Sequence, residues 1–252
     1  MNTVNTQDII VLAKKAGEAI MEIYDKDFAV YDKSDASPLT EADLAAHHIL
    51  VDGLERMTNY PVLSEESSEE IKKERLNWNE YWLIDPLDGT KEFVKKNGEF
   101  TVNVALIQHG KPTFGVVYAP ALKNLYVGDI NEGAYKQEDG KDAKKITVRA
   151  KPTQTSDYVI VCSRSHQSDE FKAFIQDYPD AHIVSMGSSL KLCLVAEGKA
   201  DIYPRLGLTC EWDTAAAQAV VEAAGGEVLH AGTGKPLQYN KENLLNPFFI
   251  VR

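Results

Sequence analysis

The sequence feature that most constrains the fold is an apolar run that ends in a pair of carboxylates. Residues 81–84 read YWLI, and residues 85–90 read DPLDGT. The apolar run predicts a buried strand. Pro86 fixes one backbone dihedral and keeps the stretch out of regular helix, while Gly89 allows the backbone to approach other groups closely. We therefore expect both carboxylates and the carbonyl oxygen of Leu87 to lie in one small volume at the end of a buried strand.

Asp85 and Asp88 have two interpretations. Aspartate favours turns and helix starts, so either residue alone could be a simple turn former. Together they hold like charges close to each other, which is costly unless a positive charge lies between them. Oxygen donors without histidine or cysteine favour Mg²⁺ or Mn²⁺ over zinc. The pair therefore predicts a site for a divalent cation.

Three further carboxylates could join this pair, and each also has a simpler interpretation. Glu65 follows a short apolar run, but the acidic stretch around it would also suit a solvated loop. Asp213 precedes an alanine-rich helix and could be its N-cap. Asp43 follows Thr40 by three residues, which is the spacing of a capping box at a helix start. None of these residues decides between the interpretations by itself.

The spacing of apolar residues predicts an α/β protein with two halves. The predicted helices cover residues 6–25, 41–57, 169–175, 189–197 and 213–224, and the predicted strands cover residues 81–85, 100–108, 113–118, 125–127, 146–148 and 158–162. The composition changes at residues 150–155. We therefore expect an N-terminal α+β half over residues 1–150, with an antiparallel sheet and the metal site, and a C-terminal α/β half over residues 151–252 that binds the substrate.

Charge and composition limit the partners of the chain. Its formal net charge of −11 argues against a nucleic acid as partner, because such a polyanion requires a basic surface. A small phosphorylated substrate would need local positive charge, from clustered lysine and arginine or from metal ions. The N-terminus lacks the basic and apolar regions of a signal peptide, and no apolar run approaches the about 20 residues of a membrane span. We expect a cytoplasmic protein, with peripheral association with a membrane left open.

Taken in order, the acidic motifs resemble those of a known family. The pair EE at residues 65–66, DPLDGT at 85–90 and WD at 212–213 are similar to the lithium-sensitive, magnesium-dependent phosphomonoesterases typified by inositol monophosphatase. The motif DPxDGT after an apolar run is specific, and the resemblance covers essentially the entire chain. It implies a layered α/β/α/β/α sandwich with the active site between the two halves. It also implies two to three Mg²⁺ ions per site and inhibition by Li⁺.

The resemblance implies a ligand role for each acidic residue of these motifs. Glu65, Asp85 and the carbonyl oxygen of Leu87 would hold the first Mg²⁺. Asp85, as a bridging ligand, would hold the second ion together with Asp88 and Asp213. A weaker third ion would reach Glu65, in part through water.

The resemblance also implies how water would attack the phosphate ester. Thr90, with Asp43 behind it, would orient the water and help to deprotonate it, and Glu65 would complete the catalytic set. The backbone amides of Gly89 and Thr90 could face the phosphate at a helix start. Two divalent ions that share a carboxylate can lower the pKa of a bound water and neutralise the phosphoryl oxygens. Hydrolysis by this route needs no phospho-enzyme.

Four motifs farther along the chain are KEF at residues 91–93, SRSH at 163–166, GSSLK at 187–191 and YPR at 203–205. They resemble one branch of the family, the 3′(2′),5′-bisphosphate nucleotidases of the bacterial sulfate-assimilation type. The branch implies removal of the 3′-phosphate from adenosine 3′,5′-bisphosphate to give AMP, and the same reaction on its sulfated precursor. It further implies a monomer whose partner is this small molecule, with a peripheral position on the cytoplasmic side of the inner membrane.

A substrate with a second phosphate remote from the metals needs a separate anion site. Ser188, near a helix start, and Lys191, one turn later, could bind the 5′-phosphate. Arg205 could add a cation or lie against the adenine, and His166 could bind the ribose or the scissile phosphate. Alternatively, Ser188 could only cap its helix, and Lys191 and Arg205 could be solvated surface charges. The predicted substrate-binding residues are Glu65, Leu87, Asp88, Gly89, Thr90, His166, Ser188, Lys191, Arg205 and Asp213.

Two rival functions remain open at this point. The first is hydrolysis of inositol monophosphate or fructose bisphosphate, which the second anion site disfavours because a monophosphate has no use for it. The second is a nucleotide-binding sensor without catalysis. A complete metal-ligand set together with Thr90 disfavours the sensor, since a sensor needs no residue that activates water.

Overall fold

The computed structural model describes residues 5–26, 30–32, 38–164 and 168–252. The helices are α1 (Thr6–Tyr24), α2 (Glu41–Met57), α3 (Glu69–Glu74), α4 (Thr90–Val94), α5 (Asp169–Ile175), α6 (Leu190–Ala196) and α7 (Ala215–Ala223). The strands are β1 (Val30–Asp32), β2 (Pro38–Thr40), β3 (Val62–Ser64), β4 (Glu80–Asp88), β5 (Thr101–Gln108), β6 (Lys111–Ala119), β7 (Asn124–Asp129), β8 (Gly133–Glu138), β9 (Lys144–Ile146), β10 (Val159–Ser163), β11 (His182–Met186), β12 (Tyr203–Arg205), β13 (Val228–His230) and β14 (Phe249–Val251). Single turns of 3₁₀ helix cover Arg75–Asn77, Thr155–Asp157 and Glu211–Asp213.

The helices that the sequence predicts are confirmed. α1, α2, α5 and α6 end within one residue of the predicted bounds, and α7 begins at Ala215 rather than at residue 213. Two short helices were not among the predicted ranges, although the expected helix start at Gly89 and Thr90 is confirmed by α4. α3 buries none of its residues, so it has no apolar periodicity to detect. α4 has only five residues, which is too short for a periodic pattern.

Seven strands, β3 to β9, form the main sheet in the order in which they occur along the chain. β3 is parallel to β4, and every later pair is antiparallel. The predicted hairpin of β5 and β6 is confirmed, with His109 and Gly110 at positive φ in its turn. β8 was not predicted, and the prediction of a strand over 146–148 is wrong because β9 ends at Ile146. β9 is an edge strand with two lysines, so it lacks the apolar alternation that such a prediction needs.

Helices cover both faces of the main sheet because the side chains of its strands alternate between two apolar clusters. In β4, Trp82 and Ile84 belong to the cluster that includes residues of α1 and α2. Tyr81 and Leu83 belong to the opposite cluster, which includes residues of α6 and α7. All four side chains are at most 1% exposed. The apolar run before the carboxylates is therefore buried on both faces.

The C-terminal strands form two small sheets that a bridge joins into one layer, called the second sheet below. β10 and β11 are parallel, β14 pairs with both β12 and β13, and a bridge between Ile160 and Ile202 connects the two groups. Val161 of β10 faces the cluster that includes α6 and α7, whereas Ile160 and Cys162 pack with Phe171 of α5. The layers are therefore α1–α2, main sheet, α6–α7, second sheet and α5. The predicted α/β/α/β/α architecture is confirmed.

The predicted division of the chain near residue 150 stays a prediction. The apolar cluster between the two sheets combines residues from before and after that point, such as Leu83 and Ala105 with Val195 and Val220.

Within the described residues, no helix is long and apolar enough to cross a membrane.

α7 lies directly against the backbone of the main sheet because two strand residues have no side chain. A Cβ atom on Gly115 of β6 would lie 2.2 Å from the carbonyl oxygen of Ala216. A Cβ atom on Gly128 of β7 would lie 2.4 Å from the Cα atom of Val220. Neither contact is possible without a shift of the helix or the strand. The two glycines therefore set the separation of α7 from the sheet, and with it the position of the turn that precedes α7.

Gly115→Ala is expected to lower the free energy of unfolding by about 3 kcal/mol, because an added methyl group in a close contact forces the backbone to shift. Urea denaturation followed by circular dichroism measures this change. Gly207→Ala is the matched control, since the nearest atom to a Cβ there would be Cζ of Arg205 at 3.9 Å. An equal loss in both variants would contradict the direct contact between α7 and the sheet.

Candidate active site

The structure brings Asp85, Asp88 and Asp213 together at the carboxyl end of β4. One carboxylate oxygen of each residue lies within 4.8 Å of those of the other two. Oδ1 of Asp85 accepts a hydrogen bond of 3.1 Å from the amide of Leu87. The register of β4 against β5 shifts between Asp85 and Asp88, and such a bulge redirects side chains at a strand end. Both carboxylates of the DPLDGT motif thus reach the same space.

Glu65 reaches the site because β3 is parallel to β4. Ser64 is paired with Ile84, and the amide of Glu65 donates to the carbonyl of Ile84 over 3.2 Å. Glu65 therefore follows the same edge of the sheet at which β4 ends. It lines the same cavity as Asp88 and Asp213. Strand pairing, rather than a freely solvated loop, determines its position.

Asp213 is held by a turn of 3₁₀ helix, residues 211–213, that is partly buried. Its Oδ2 accepts a hydrogen bond of 2.8 Å from the amide of Cys210. Glu211, in the same turn, is fully buried, and its carboxylate accepts from the amides of residues 240–241. The interpretation of Asp213 as the N-cap of α7 is wrong, because its side chain caps this preceding turn and α7 begins at Ala215.

Burial and neighbouring charges shift the pKa values of two of these carboxylates. Burial, followed by the negative charges of Asp88 and Glu65, raises the pKa of Asp213 well above its ordinary value. Burial also raises the pKa of Asp88, although the ammonium group of Lys191 and the amide of Ser189 lower it. A divalent cation would relieve this repulsion, and a donor set of carboxylate oxygens suits Mg²⁺. The residues present therefore fit the ion that the family resemblance implies.

Asp88 is also bound to the segment that precedes α6. Its Oδ2 accepts from the amide of Ser189 over 2.6 Å and from Nδ2 of Asn103 over 3.5 Å. The hydroxyl of Ser189 lies 2.9 Å from Oδ1 of Asn103 and 2.8 Å from the hydroxyl of Thr101. None of these contacts of Asp88 and Ser189 was predicted from the sequence. The one available signal was Asn103, a polar residue inside the apolar part of a buried strand.

Asp43 caps a helix and contacts Thr90 with the same carboxylate. Its Oδ2 accepts from the amide and the hydroxyl of Thr40 over 2.8 Å and 2.6 Å, which completes the predicted capping box of α2. Its Oδ1 lies 3.4 Å from Oγ1 of Thr90, and that hydroxyl lies 3.3 Å from the carbonyl oxygen of Leu87. Asp43 is 1% exposed. The capping interpretation and the contact that the resemblance implies are therefore both correct.

One cavity of 340 Å³ collects most of the predicted substrate-binding residues. Those that line it are Glu65, Asp88, Gly89, Thr90, Ser188, Lys191, Arg205 and Asp213. Leu87 is buried, and its carbonyl oxygen lies close to the hydroxyl of Thr90. His166 lies outside the described residues.

Ser188 and Lys191 do not match their simpler interpretations. Ser188 precedes the N-cap residue of α6, and its buried hydroxyl has no hydrogen-bond partner among the described residues. Lys191 is 7% exposed, so it is not a solvated surface charge. Burial lowers the pKa of Lys191 to about 8, although the carboxylate of Asp88 raises it. The cavity thus contains a buried lysine and an unpartnered hydroxyl near the carboxylates.

Arg205 lies between this cavity and a neighbouring one of 420 Å³. Its Nη2 donates to the carbonyl of Leu208 over 2.7 Å, while its buried Nε has no partner among the described residues. Phe171 and Tyr203 contribute aromatic surface to the neighbouring cavity. Cationic and apolar surfaces therefore lie side by side at Arg205. This arrangement would suit a ligand that is anionic at one end and aromatic at the other.

Sequence comparison finds one family along almost the whole chain. The sequence model described as the inositol monophosphatase family matches residues 3–247. The 3′(2′),5′-bisphosphate nucleotidase CysQ of Escherichia coli K12 is 52% identical over 246 residues, which cover 95% of this chain and 96% of that protein. The protein of the same name from Haemophilus influenzae is 36% identical over 245 residues, with 96% and 90% covered.

Solved structures give the same result. CysQ from Bacteroides thetaiotaomicron, described as a bacterial member of the inositol monophosphatase family, superposes with a TM-score of 0.85 at 44% identity, covering 98% of this chain and 96% of that chain. An IMPase from Thermotoga maritima superposes with a TM-score of 0.79 at 26% identity, covering 96% and 89%. The predicted resemblance to the family, and to its bisphosphate nucleotidase branch, is confirmed.

Asp88→Asn is expected to lower kcat by a factor of about 10² to 10³, because charge stabilisation by metal ions contributes several kcal/mol. Phosphate release measures kcat, and thermal melting followed by circular dichroism should show little loss of folding, since the substitution removes a repulsive charge. Asp139→Asn is the matched control, because Asp139 is exposed and pairs with Lys123. A fully active Asp88→Asn variant would remove this residue from the metal-ligand set.

Proposed function

We propose that this chain, which belongs to the inositol monophosphatase family, removes the 3′-phosphate of adenosine 3′,5′-bisphosphate and releases AMP and phosphate. The observation that carries the proposal is one cavity that combines two kinds of polar group. Carboxylates that fit divalent cations lie at this cavity together with the buried lysine and the unpartnered hydroxyl of Ser188. The names of the relatives, 3′(2′),5′-bisphosphate nucleotidases, support the same reaction.

The carboxylates would hold two Mg²⁺ ions, with a third bound more weakly. Glu65, Asp85 and the carbonyl oxygen of Leu87 would be ligands of one ion, and Asp85, Asp88 and Asp213 would be ligands of the other. Mg²⁺ bound there would lower the pKa of a water and neutralise charge on the phosphoryl oxygens. An acidic protein can bind an anionic ester in this way.

Thr90 and Asp43 would take part in the proton transfer from the attacking water. Oγ1 of Thr90 lies 3.4 Å from Oδ1 of Asp43, so the hydroxyl can donate to this carboxylate while its lone pairs accept from water. Asp43 keeps its orientation because its other oxygen is bound to Thr40. Glu65 would complete the catalytic set from the neighbouring strand. No covalent phospho-enzyme is required.

The 5′-phosphate would bind at Lys191 and Ser188. Nζ of Lys191 donates one of its three N–H groups to the carbonyl of Ser188 over 2.5 Å, which leaves two for a phosphate. The hydroxyl of Ser188 and Nε of Arg205 also lack partners among the described residues, so both could donate to an anion. A monophosphate ester makes no use of this second anion site, and we therefore expect the bisphosphate to be preferred.

The proposal extends to a second substrate and to inhibition by Li⁺. The sulfated precursor of the bisphosphate would also be hydrolysed, because its 5′-phosphosulfate is likewise anionic, and clearing such nucleotides would serve sulfate assimilation. Li⁺ would inhibit as a small cation that competes for the oxygen donors of the Mg²⁺ site. A cytoplasmic monomer and a peripheral position at the inner membrane stay predictions from the resemblance.

The test of the proposal is phosphate release with Mg²⁺ from adenosine 3′,5′-bisphosphate, inositol 1-phosphate and fructose 1,6-bisphosphate, with and without EDTA. We expect release that EDTA abolishes and that is fastest from the nucleotide. A preference for inositol 1-phosphate would keep the carboxylate chemistry and refute the second anion site, whereas a preference for fructose 1,6-bisphosphate would refute a nucleotide as its occupant. No release from any of the three would favour a nucleotide-binding sensor.

Lys191→Ala is expected to raise KM for adenosine 3′,5′-bisphosphate by a factor of about 10 to 100, the loss expected for a hydrogen bond between charged groups. KM for 3′-AMP, which lacks the 5′-phosphate, should change far less. Steady-state kinetics on both nucleotides measures the difference. Lys123→Ala is the matched control, because Lys123 is an exposed lysine that pairs with Asp139. Equal effects on both nucleotides would eliminate Lys191 as a ligand of the 5′-phosphate.

A further inference from the structure

Residues 187–189 are hydrogen-bonded to both Asp88 and Lys191, and all three line the cavity. Ser188 has a φ of 44°, in the left-handed region that residues with a side chain rarely adopt. Such a conformation persists only where surrounding groups hold it. The hydrogen bonds of this segment therefore determine where the hydroxyl of Ser188 lies.

Three side chains hold the backbone on either side of this hydroxyl. The amide of Ser189 donates to Oδ2 of Asp88 over 2.6 Å, and the carbonyl of Ser188 accepts from Nζ of Lys191 over 2.5 Å. The amide of Gly187 donates to Oε2 of Glu99 over 2.7 Å. Asp88 and Lys191 already belong to the proposed metal and substrate sites. Glu99 belongs to neither.

Glu99 is fixed against the segment by packing as well as by this hydrogen bond. A Cβ atom on Gly187 would lie 2.7 Å from the carbonyl oxygen of Glu99 and 2.8 Å from its Cβ atom. Only glycine fits at such a close approach of two backbones. Glu99 is not among the described residues that line the cavity. Its effect on a ligand would therefore pass through Gly187 to Ser188.

Arg164 determines the orientation of the Glu99 carboxylate. Its Nε donates to Oε2 of Glu99 over 3.1 Å, and its Nη2 donates to Oε1 over 2.5 Å. The same Nη2 also donates to the carbonyl of Ser185 in β11 over 3.3 Å. A guanidinium group that binds both oxygens restricts a carboxylate to one orientation. The ion pair with Arg164 therefore keeps Oε2 of Glu99 in the position where it accepts the hydrogen bond from the amide of Gly187.

We propose that Glu99 is a positioning residue for the second anion site and that Arg164 orients it. Glu99 holds residues 187–189 so that Ser188 keeps its left-handed conformation and presents its hydroxyl to the 5′-phosphate. The inference rests on the proposed function, because it concerns how the site distinguishes a 3′,5′-bisphosphate from a 3′-monophosphate. The side chain of Arg164 is 47% exposed, so the ion pair contributes little to stability and its loss should affect specificity more than folding.

Glu99→Ala removes the acceptor of the Gly187 amide. We expect the ratio of kcat/KM for adenosine 3′,5′-bisphosphate to that for 3′-AMP to fall about tenfold, which is the effect of losing one hydrogen bond to a charged acceptor. The fall should come from a higher KM for the bisphosphate. Glu99→Gln keeps an oxygen acceptor and should retain most of the preference. Arg164→Ala leaves the carboxylate unoriented and should lower the ratio by a smaller factor, about threefold.

Glu227→Ala is the matched control, because Glu227 forms an exposed ion pair with Arg252. An unchanged ratio in Glu99→Ala, an equal loss on both nucleotides, or a Glu99→Gln variant as deficient as the alanine variant would overturn the assignment. Should Glu99→Ala fail to fold, an unchanged ratio in Arg164→Ala would overturn the assignment instead.

The wild-type protein distinguishes failure of the proposed function from failure of the role of Glu99. A wild type without preference for the bisphosphate over 3′-AMP refutes the proposed function, whereas a preference that Glu99→Ala retains refutes only the role of Glu99.

Discussion

Repulsion among the carboxylates that meet at the end of β4 is the constraint on which the rest of the structure depends. Asp85, Asp88 and Asp213 come from two distant parts of the chain and meet within 4.8 Å. Each of them accepts a hydrogen bond from a backbone amide. The donors are the amides of Leu87, Ser189 and Cys210. These amides offset part of the negative charge, and a divalent cation would offset the remainder. The bulge in β4, the segment before α6 and the turn before α7 can therefore be understood as supports for one cluster of charge.

The local structural roles of acidic residues and their proposed chemistry do not exclude each other. Asp43 caps α2 with one oxygen and lies near Thr90 with the other. Asp213 caps a single turn and also completes the carboxylate cluster. In both cases the cap fixes the side chain in one orientation, which a ligand or a proton acceptor also needs. A residue that is explained by secondary structure alone can therefore still belong to a site.

The separation of two contacting residues along the chain decided whether their contact could be predicted from the sequence. The buried strand and the pair Asp85 and Asp88 could be predicted because apolar spacing, proline and glycine act over a few positions. Asp213 joined them only through resemblance to a family, since no local pattern connects it with β4. Ser189 and Glu99 escaped prediction because their contacts join segments that are far apart in the chain. Polar edge strands such as β9 were misplaced for a different reason, the absence of an apolar face.

The close contact between α7 and the main sheet has a consequence for ion size. Asp85 and Asp88 are attached to the sheet, whereas Asp213 is attached to the turn before α7. Gly115 and Gly128, which set the separation of α7 from the sheet, therefore influence the position of Asp213 relative to Asp85 and Asp88 without contacting them. Oxygen ligands lie at about 2.1 Å from Mg²⁺ and at about 2.3–2.6 Å from Ca²⁺. A fixed separation of α7 from the sheet leaves the carboxylate cluster little freedom to adjust to an ion of a different size, so the absence of two side chains in the hydrophobic core would limit which cation fits.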